Sequence, residues 1–218
     1  MLKRVAVFGS QIGEQVIGDI IENNLPVEVV KLTTENEWEY PCGTESEIRE
    51  WTEEKLEPYV GQFDVIVFCE PEMTLSSIYL LTHRYPDQKI IGYGQSLARV
   101  LGKERRVRVL LPRVVRRMSR YQEMKCSCFD TEISEGEYES RLLSEGPSPL
   151  ATKQALADFP GGLVVIYTPR LICIKKQIEQ CVKWRASVVD MCDSLFRDTC
   201  KALEFRGIDG RLMRDLKG

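Results

Sequence analysis

Asp64-Val-Ile-Val-Phe-Cys69-Glu-Pro71 is an apolar run that ends in a cysteine and a proline turn, and 98 residues later Gly162-Leu-Val-Val-Ile-Tyr167-Thr-Pro169 repeats its plan. A strand end that occurs twice points to two similar half-molecules facing each other across a cleft. The position that is cysteine in the first copy is tyrosine in the second, so the halves no longer carry matching chemistry. A second match supports the first. Arg4-Val-Ala-Val-Phe8 corresponds to Arg106-Val-Arg-Val-Leu110 at an offset of 102 residues, and each is followed by a helical pattern. Two matches at nearly one spacing suggest a duplicated βα unit.

Around these segments, short runs rich in Val, Ile and Leu predict strands over 4–8, 27–32, 64–68, 89–93, 107–111, 163–166 and 187–189. Helical spacing predicts helices over 13–23, 45–60, 75–83, 113–124, 148–158, 171–182 and 193–205. Apolar strands that alternate with helices imply parallel sheets covered on both faces. Ligands of such sheets bind beyond the carboxyl ends of the strands, here the turns after Phe8, Phe68, Leu111 and Ile166. Residues 132–149 are rich in turn formers (Ser134-Glu-Gly136, Ser144-Glu-Gly146-Pro-Ser-Pro149) and read as a connection within the second half. The charged tail from Gly207 onward reads as frayed.

Composition narrows the function. A chain of 218 residues that is 43% hydrophobic and 29% charged suits one large or two small globular domains. A net charge of -3 argues against nucleic-acid binding by the surface as a whole. No apolar run reaches the roughly 18 residues of a membrane span. The N-terminus enters a strand-like run without a signal-peptide core, so a cytoplasmic protein is expected. The eight cysteines are then expected to be reduced. Their spacing lacks a CxxC pair, and the single histidine, His83, ends a predicted helix, so no metal site and no cofactor are expected. Cys181, Cys192 and Cys200 fall on the last helical segments and read as core.

Several segments, in order over nearly the whole chain, resemble glutamate racemase and the other cofactor-independent aspartate/glutamate racemases. Val5-Ala-Val-Phe-Gly9-Ser10-Gln-Ile-Gly13 is similar to the opening strand and its Asp-Ser-Gly turn. Glu39-Tyr-Pro-Cys42-Gly43-Thr-Glu-Ser46 is similar to the Pro-Tyr-Gly-x-Lys-Ser substrate loop, the most specific of the matches. Asp64–Pro71 resembles the strand before the first catalytic Cys-Asn-Thr, and Leu163–Thr168 the strand before the second, Cys-Thr-His. Val188-Val-Asp190 resembles the Ile-Asp that follows.

The resemblance implies an α/β fold of two pseudo-symmetric, doubly wound, flavodoxin-like domains, with parallel sheets and an interdomain cleft. It divides the chain into residues 1–92 with 184–218, and residues 93–183. In that family one thiolate removes the α-proton of an amino acid and a second thiol returns a proton to the opposite face. Inversion needs an acid and a base on opposite sides of one carbon, and thiols serve both roles near neutral pH when their pKa is tuned.

This chain departs from the pattern at most of those positions. Cys69 matches the first cysteine, but Glu70 and Pro71 replace Asn and Thr. Tyr167 replaces the second cysteine; Thr168 is kept, and Pro169 replaces histidine. Gly9 stands at the aspartate, Cys42 at the loop tyrosine, and Pro112 and Val115 at the carboxylate-binding threonines. The resemblance therefore implies Cys69 as the inherited catalytic residue, with Tyr167 opposite it. A phenol's reference pKa of about 10 makes Tyr167 a poor base without cationic help. Ser10, Cys42, Gly43, Glu70 and Thr168 would line the cleft.

Charge adds candidates. Residues 103–120 hold eight basic residues and one acid. Arg113 and Arg116, at the start of the helix after Leu111, and Arg170, in the matching turn after Ile166, would hold a carboxylate or phosphate. Residues 35–57 carry nine glutamates against Arg49 and Lys55. They read as a solvated face, or as one able to pair with the basic stretch of a second copy in a homodimer. Cys69 with Cys42 would also suit a soft metal or a redox pair. Three readings of function follow. One is a racemase-superfamily enzyme with one-cysteine chemistry at Cys69, such as isomerisation, decarboxylation or lyase action, on a small anion. The second is a catalytically silent homologue that binds a small amino acid, dicarboxylate or phosphate. The third is a true glutamate or aspartate racemase.

Overall fold

A parallel strand covered on both faces must be apolar throughout, and Val5 to Phe8 and Val65 to Phe68 are accordingly buried without a polar interruption. The computed structural model describes residues 2–41, 43–101, 104–128, 130–138 and 149–205. The first half runs β1 (Lys3–Phe8), α1 (Gln11–Asn24), β2 (Val27–Lys31), α2 (Leu32–Glu35), α3 (Glu45–Leu56), β3 (Val65–Phe68), α4 (Pro71–Arg84) and β4 (Ile90–Gly92). Helix α5 (Leu97–Leu101) leads to the second half. That half runs β5 (Arg106–Pro112), α6 (Arg113–Arg117), α7 (Ser119–Cys126), β6 (Glu132–Tyr138), α8 (Pro149–Ala155) and β7 (Gly162–Ile166). A 3-10 turn (Pro169–Ile174), α9 (Lys175–Val182), β8 (Ala186–Asp190) and α10 (Cys192–Ala202) complete it.

Each half is a four-stranded parallel sheet, with orders β2-β1-β3-β4 and β6-β5-β7-β8. The two orders are one plan used twice, as the repeated strand end implies. Val5 stands opposite Val65 in the first sheet and Val107 opposite Leu163 in the second, so the duplicated strands are the central pair of each sheet. One hydrophobic cluster runs from the first sheet through Val107, Val165 and Tyr167 of the second. A smaller one, built on Leu110, Val164 and Ile178, lies between the other face of the second sheet and its helices.

Three expectations need correction. Residues 132–138, read as connection, form strand β6, an edge strand paired with β5 from Arg106↔Glu132 to Pro112↔Tyr138. An edge strand needs only one pairing partner, so it carries polar residues that a central strand excludes. Residues 186–190, expected in the first half, add β8 to the second sheet; the chain returns to the first half with α10, which packs on β3 and β4. The single helix expected over 113–124 is two, broken at Met118, whose backbone is extended. Cys42 and the tail beyond residue 205 lie outside the described residues. No helix among those described is long and apolar enough to cross a membrane.

Candidate functional site

The carboxyl ends of β1, β3 and β7 converge on one buried cluster of polar side chains. Ser10 follows β1 and caps α1: its Oγ accepts from the Gly13 amide at 3.0 Å. Cys69 follows β3 and is fully buried, its amide donating to Phe8 O at 2.9 Å. Pro71 opens α4 at the first helical position, where its fixed φ and missing N–H cost nothing, and this sets Glu70 and Glu72 at the helix start. Tyr167, Thr168 and Arg170 follow β7.

Arg170 is 2% exposed, and two carboxylates of the other half hold it. Its Nε donates to Glu70 Oε2 at 3.2 Å and its Nη2 donates to Glu72 Oε1. Thr168 Oγ1 lies 3.5 Å from Glu70 Oε2, and Ser10 Oγ donates to Glu70 Oε1. Glu72 Oε2 is buried without a hydrogen-bond partner among the described residues. Two carboxylates and one guanidinium thus share a buried site with a formal excess of one negative charge. Burial pushes Glu70 up to about 7; Arg170 opposes that shift and Glu72 adds to it.

Cys69 and Tyr167 face this cluster, and both are held in their neutral forms. Burial, reinforced by the carboxylates of Glu14 and Glu70, holds the Cys69 thiol well above its ordinary range. Burial and the charge of Glu72 do the same for the Tyr167 phenol. Tyr167 Oη has no hydrogen-bond partner among the described residues. Its ring packs 6.3 Å, centroid to centroid, from both Tyr93 and Tyr121.

Two glycines make the close packing possible. A Cβ on Gly13 would stand 2.6 Å from Glu70 Oε1, and one on Gly94 would stand 2.0 Å from the Tyr167 ring. Gly94 also has φ +82, which side chains other than glycine's rarely adopt.

The remaining candidates lie elsewhere. Arg113 and Arg116 pair with Glu137 of β6, Arg113 at 3.4 Å, and both are half-exposed. Arg113 lines a cavity of about 290 Å³ with Arg108, Glu135 and Gly136, separate from the Arg170 cluster. Gly43 precedes the capping box of α3, in which Thr44 and Glu47 bond each other reciprocally. A Cβ on Gly43 would fall on the Glu47 carboxylate. Among the described residues no group of three His, Cys, Asp or Glu side chains is placed to hold a metal.

The space that opens at this end of the sheets is a cavity of about 380 Å³ at the mouth of the cluster. Ser10, Gln11 and Ile12 at the head of α1 form one wall, and Trp38, Glu39 and Tyr40 another. Arg170, whose guanidinium carbon lies 5.7 Å from the centre of the Tyr40 ring, closes the base. Tyr93, Gly94 and Tyr121 complete the cluster without having been singled out in the sequence. Glu72, a carboxylate close to Cys69 in the sequence, joins the cluster through Arg170.

No protein-family model and no curated protein matches the sequence. Solved structures do match its fold. Glutamate racemase from Escherichia coli, determined with L-glutamate, aligns at TM-score 0.71 and 18% identity over 94% of this chain and 84% of that one. Glutamate racemase from Francisella tularensis, in complex with D-glutamate, aligns at TM-score 0.75 and 12% identity over 93% and 81%. Maleate isomerase from Pseudomonas putida aligns at TM-score 0.55 and 14% identity over 94% of each chain. The chain has the two-domain α/β fold of the glutamate racemases.

Proposed function

We propose that this chain is a non-racemising relative of the aspartate/glutamate racemases that binds a small amino acid at the mouth of the former catalytic cleft. One observation carries the loss of chemistry: Arg170 ties Glu70 and Glu72 together between the strand ends that bear Cys69 and Tyr167. A substrate carboxylate brought there would displace a buried internal carboxylate from the Arg170 guanidinium, at a cost of several kcal/mol. A thiol and a phenol that stay neutral supply no base. One-cysteine chemistry at Cys69 meets the same obstacle.

Amino-acid binding rests on the cavity. The head of α1 presents backbone amides and the positive end of the helix dipole to a carboxylate. Glu37 and Glu39, on the opposite wall, offer anionic partners to an ammonium group. The pair suits a zwitterion better than a simple dianion or a phosphate. The glutamate held by two of the solved racemases fits the same description.

Titration calorimetry with L-glutamate, L-aspartate and glutarate tests the reading. The amino acids are expected to bind and glutarate, which lacks the ammonium, to bind at least about tenfold more weakly. Glu39→Gln is expected to narrow that gap. Equal binding of all three, or none, would overturn the proposed ligand class.

A further inference from the structure

The outer face of the second sheet carries a larger cavity, of about 570 Å³, in the seam between α8 and α9. None of its lining residues belongs to the cluster around Arg170. Its inner side is the buried pair Thr152 and Leu156. Its rim carries Lys153, Lys183 and Arg185 against one carboxylate, Asp158. That carboxylate lies within the field of Arg108, which further reduces its share at the rim. Neither Lys153 nor Lys183 forms an ion pair among the described residues. Trp184, next to the rim, is 90% exposed, an unusual place for the largest apolar side chain. Its neighbour Lys183 holds φ 47, so the backbone here is bent against its preference.

We infer that the α8–α9 seam is a second binding site, for an organic anion with an apolar body, such as an aryl sulfonate or a medium-chain carboxylate. The volume lies within the roughly 300–1,000 Å³ of small-molecule sites. The apolar body enters over Leu156 and the anionic head meets Lys153 and Lys183 at the rim, with exposed Trp184 beside the opening. A purely electrostatic surface patch would lack the cavity, and a purely apolar one would lack the cations. The seam lies on the side of the second sheet away from the first half, so it is occupied independently of the cleft.

The probe is 8-anilinonaphthalene-1-sulfonate, with decanoate as competitor and N-phenyl-1-naphthylamine as the uncharged analogue. The probe is expected to bind and to be displaced by decanoate. The double variant Lys153→Glu/Lys183→Glu, both side chains exposed, is expected to weaken it about tenfold or more while leaving the unfolding midpoint in place. Cys181, on the cavity wall, is expected to be protected from iodoacetamide by the probe, while exposed Cys126 is not. No probe binding would overturn the inference. So would an affinity unchanged in the double variant, an uncharged analogue that binds as well as the sulfonate, or equal alkylation of Cys181 with and without probe.

Discussion

Arg170 and Glu70 form a buried ion pair between the two halves of the molecule, Nε to Oε2 at 3.2 Å, with both side chains almost wholly withdrawn from water. Arg170, which follows Tyr167, therefore pairs with the two carboxylates that follow Cys69.

Removal of the guanidinium should strand two buried carboxylates. Arg170→Met is expected to destabilise the fold by about 3–5 kcal/mol. Adding Glu70→Gln and Glu72→Gln should recover most of that loss, because uncharged partners no longer need a cation. Urea unfolding of the single and triple variants checks both statements. Equal losses in the two would mean that packing, not charge, sets the cost.

Glu70 also sets a pH dependence. Its pKa rises from an ordinary 4.5 when unfolded to about 7 when folded. Between those values the folded state binds more protons than the unfolded state, so this group's contribution falls as pH rises through that window and is fully lost above the folded value. Glu14, raised by burial, acts in the same direction. The stability of the parent protein minus that of Glu70→Gln is therefore expected to decline from pH 5 to pH 7.5. A difference that stays flat in denaturant titrations across that range would contradict it.

Cys69 should be chemically quiet. It is buried and its thiol stays protonated, whereas Cys126 and Cys173 are exposed. Iodoacetamide at pH 7.5 is expected to label the two exposed cysteines first. Cys69 should react only as fast as the fold opens. Peptide mass spectrometry over time gives the order.

Gly94 is required by the Tyr167 ring. Gly94→Ala is expected to cost about 2 kcal/mol or more, from its φ of +82 and from the overlap with the ring. In a Tyr167→Ala background the overlap is gone and only the backbone cost remains, so the penalty should shrink. Thermal unfolding of the four proteins in this cycle measures the coupling.

Much of this architecture was legible in the sequence. The two runs that end at Cys69 and Tyr167 are central strands, and central parallel strands cannot hide their apolar character. Strand β6 was not legible. Glu132-Ile-Ser-Glu-Gly-Glu-Tyr138 has three carboxylates and a glycine, and only its pairing with β5 makes it a strand. Missing β6 also hid Glu137, the partner that occupies Arg113 and Arg116. The helix start at Pro71 was read four residues late, because the apolar spacing begins at Leu75 while the backbone is already set by the proline. The positions of Cys69, Glu70, Thr168 and Arg170 at one end of the sheets could be read from strand ends. That Arg170 meets Glu70 and Glu72 rather than open space could not. Contacts between residues about a hundred positions apart leave no local trace.

The proposed absence of racemase chemistry is tested most directly by α-proton exchange. The protein is incubated with L- and D-glutamate and with L- and D-aspartate in D₂O, and the α-proton signal is followed by NMR. The expected result is no exchange above the protein-free rate for any of the four, with Cys69→Ser indistinguishable from the parent. Exchange that Cys69→Ser abolishes would contradict a closed, proton-inert site.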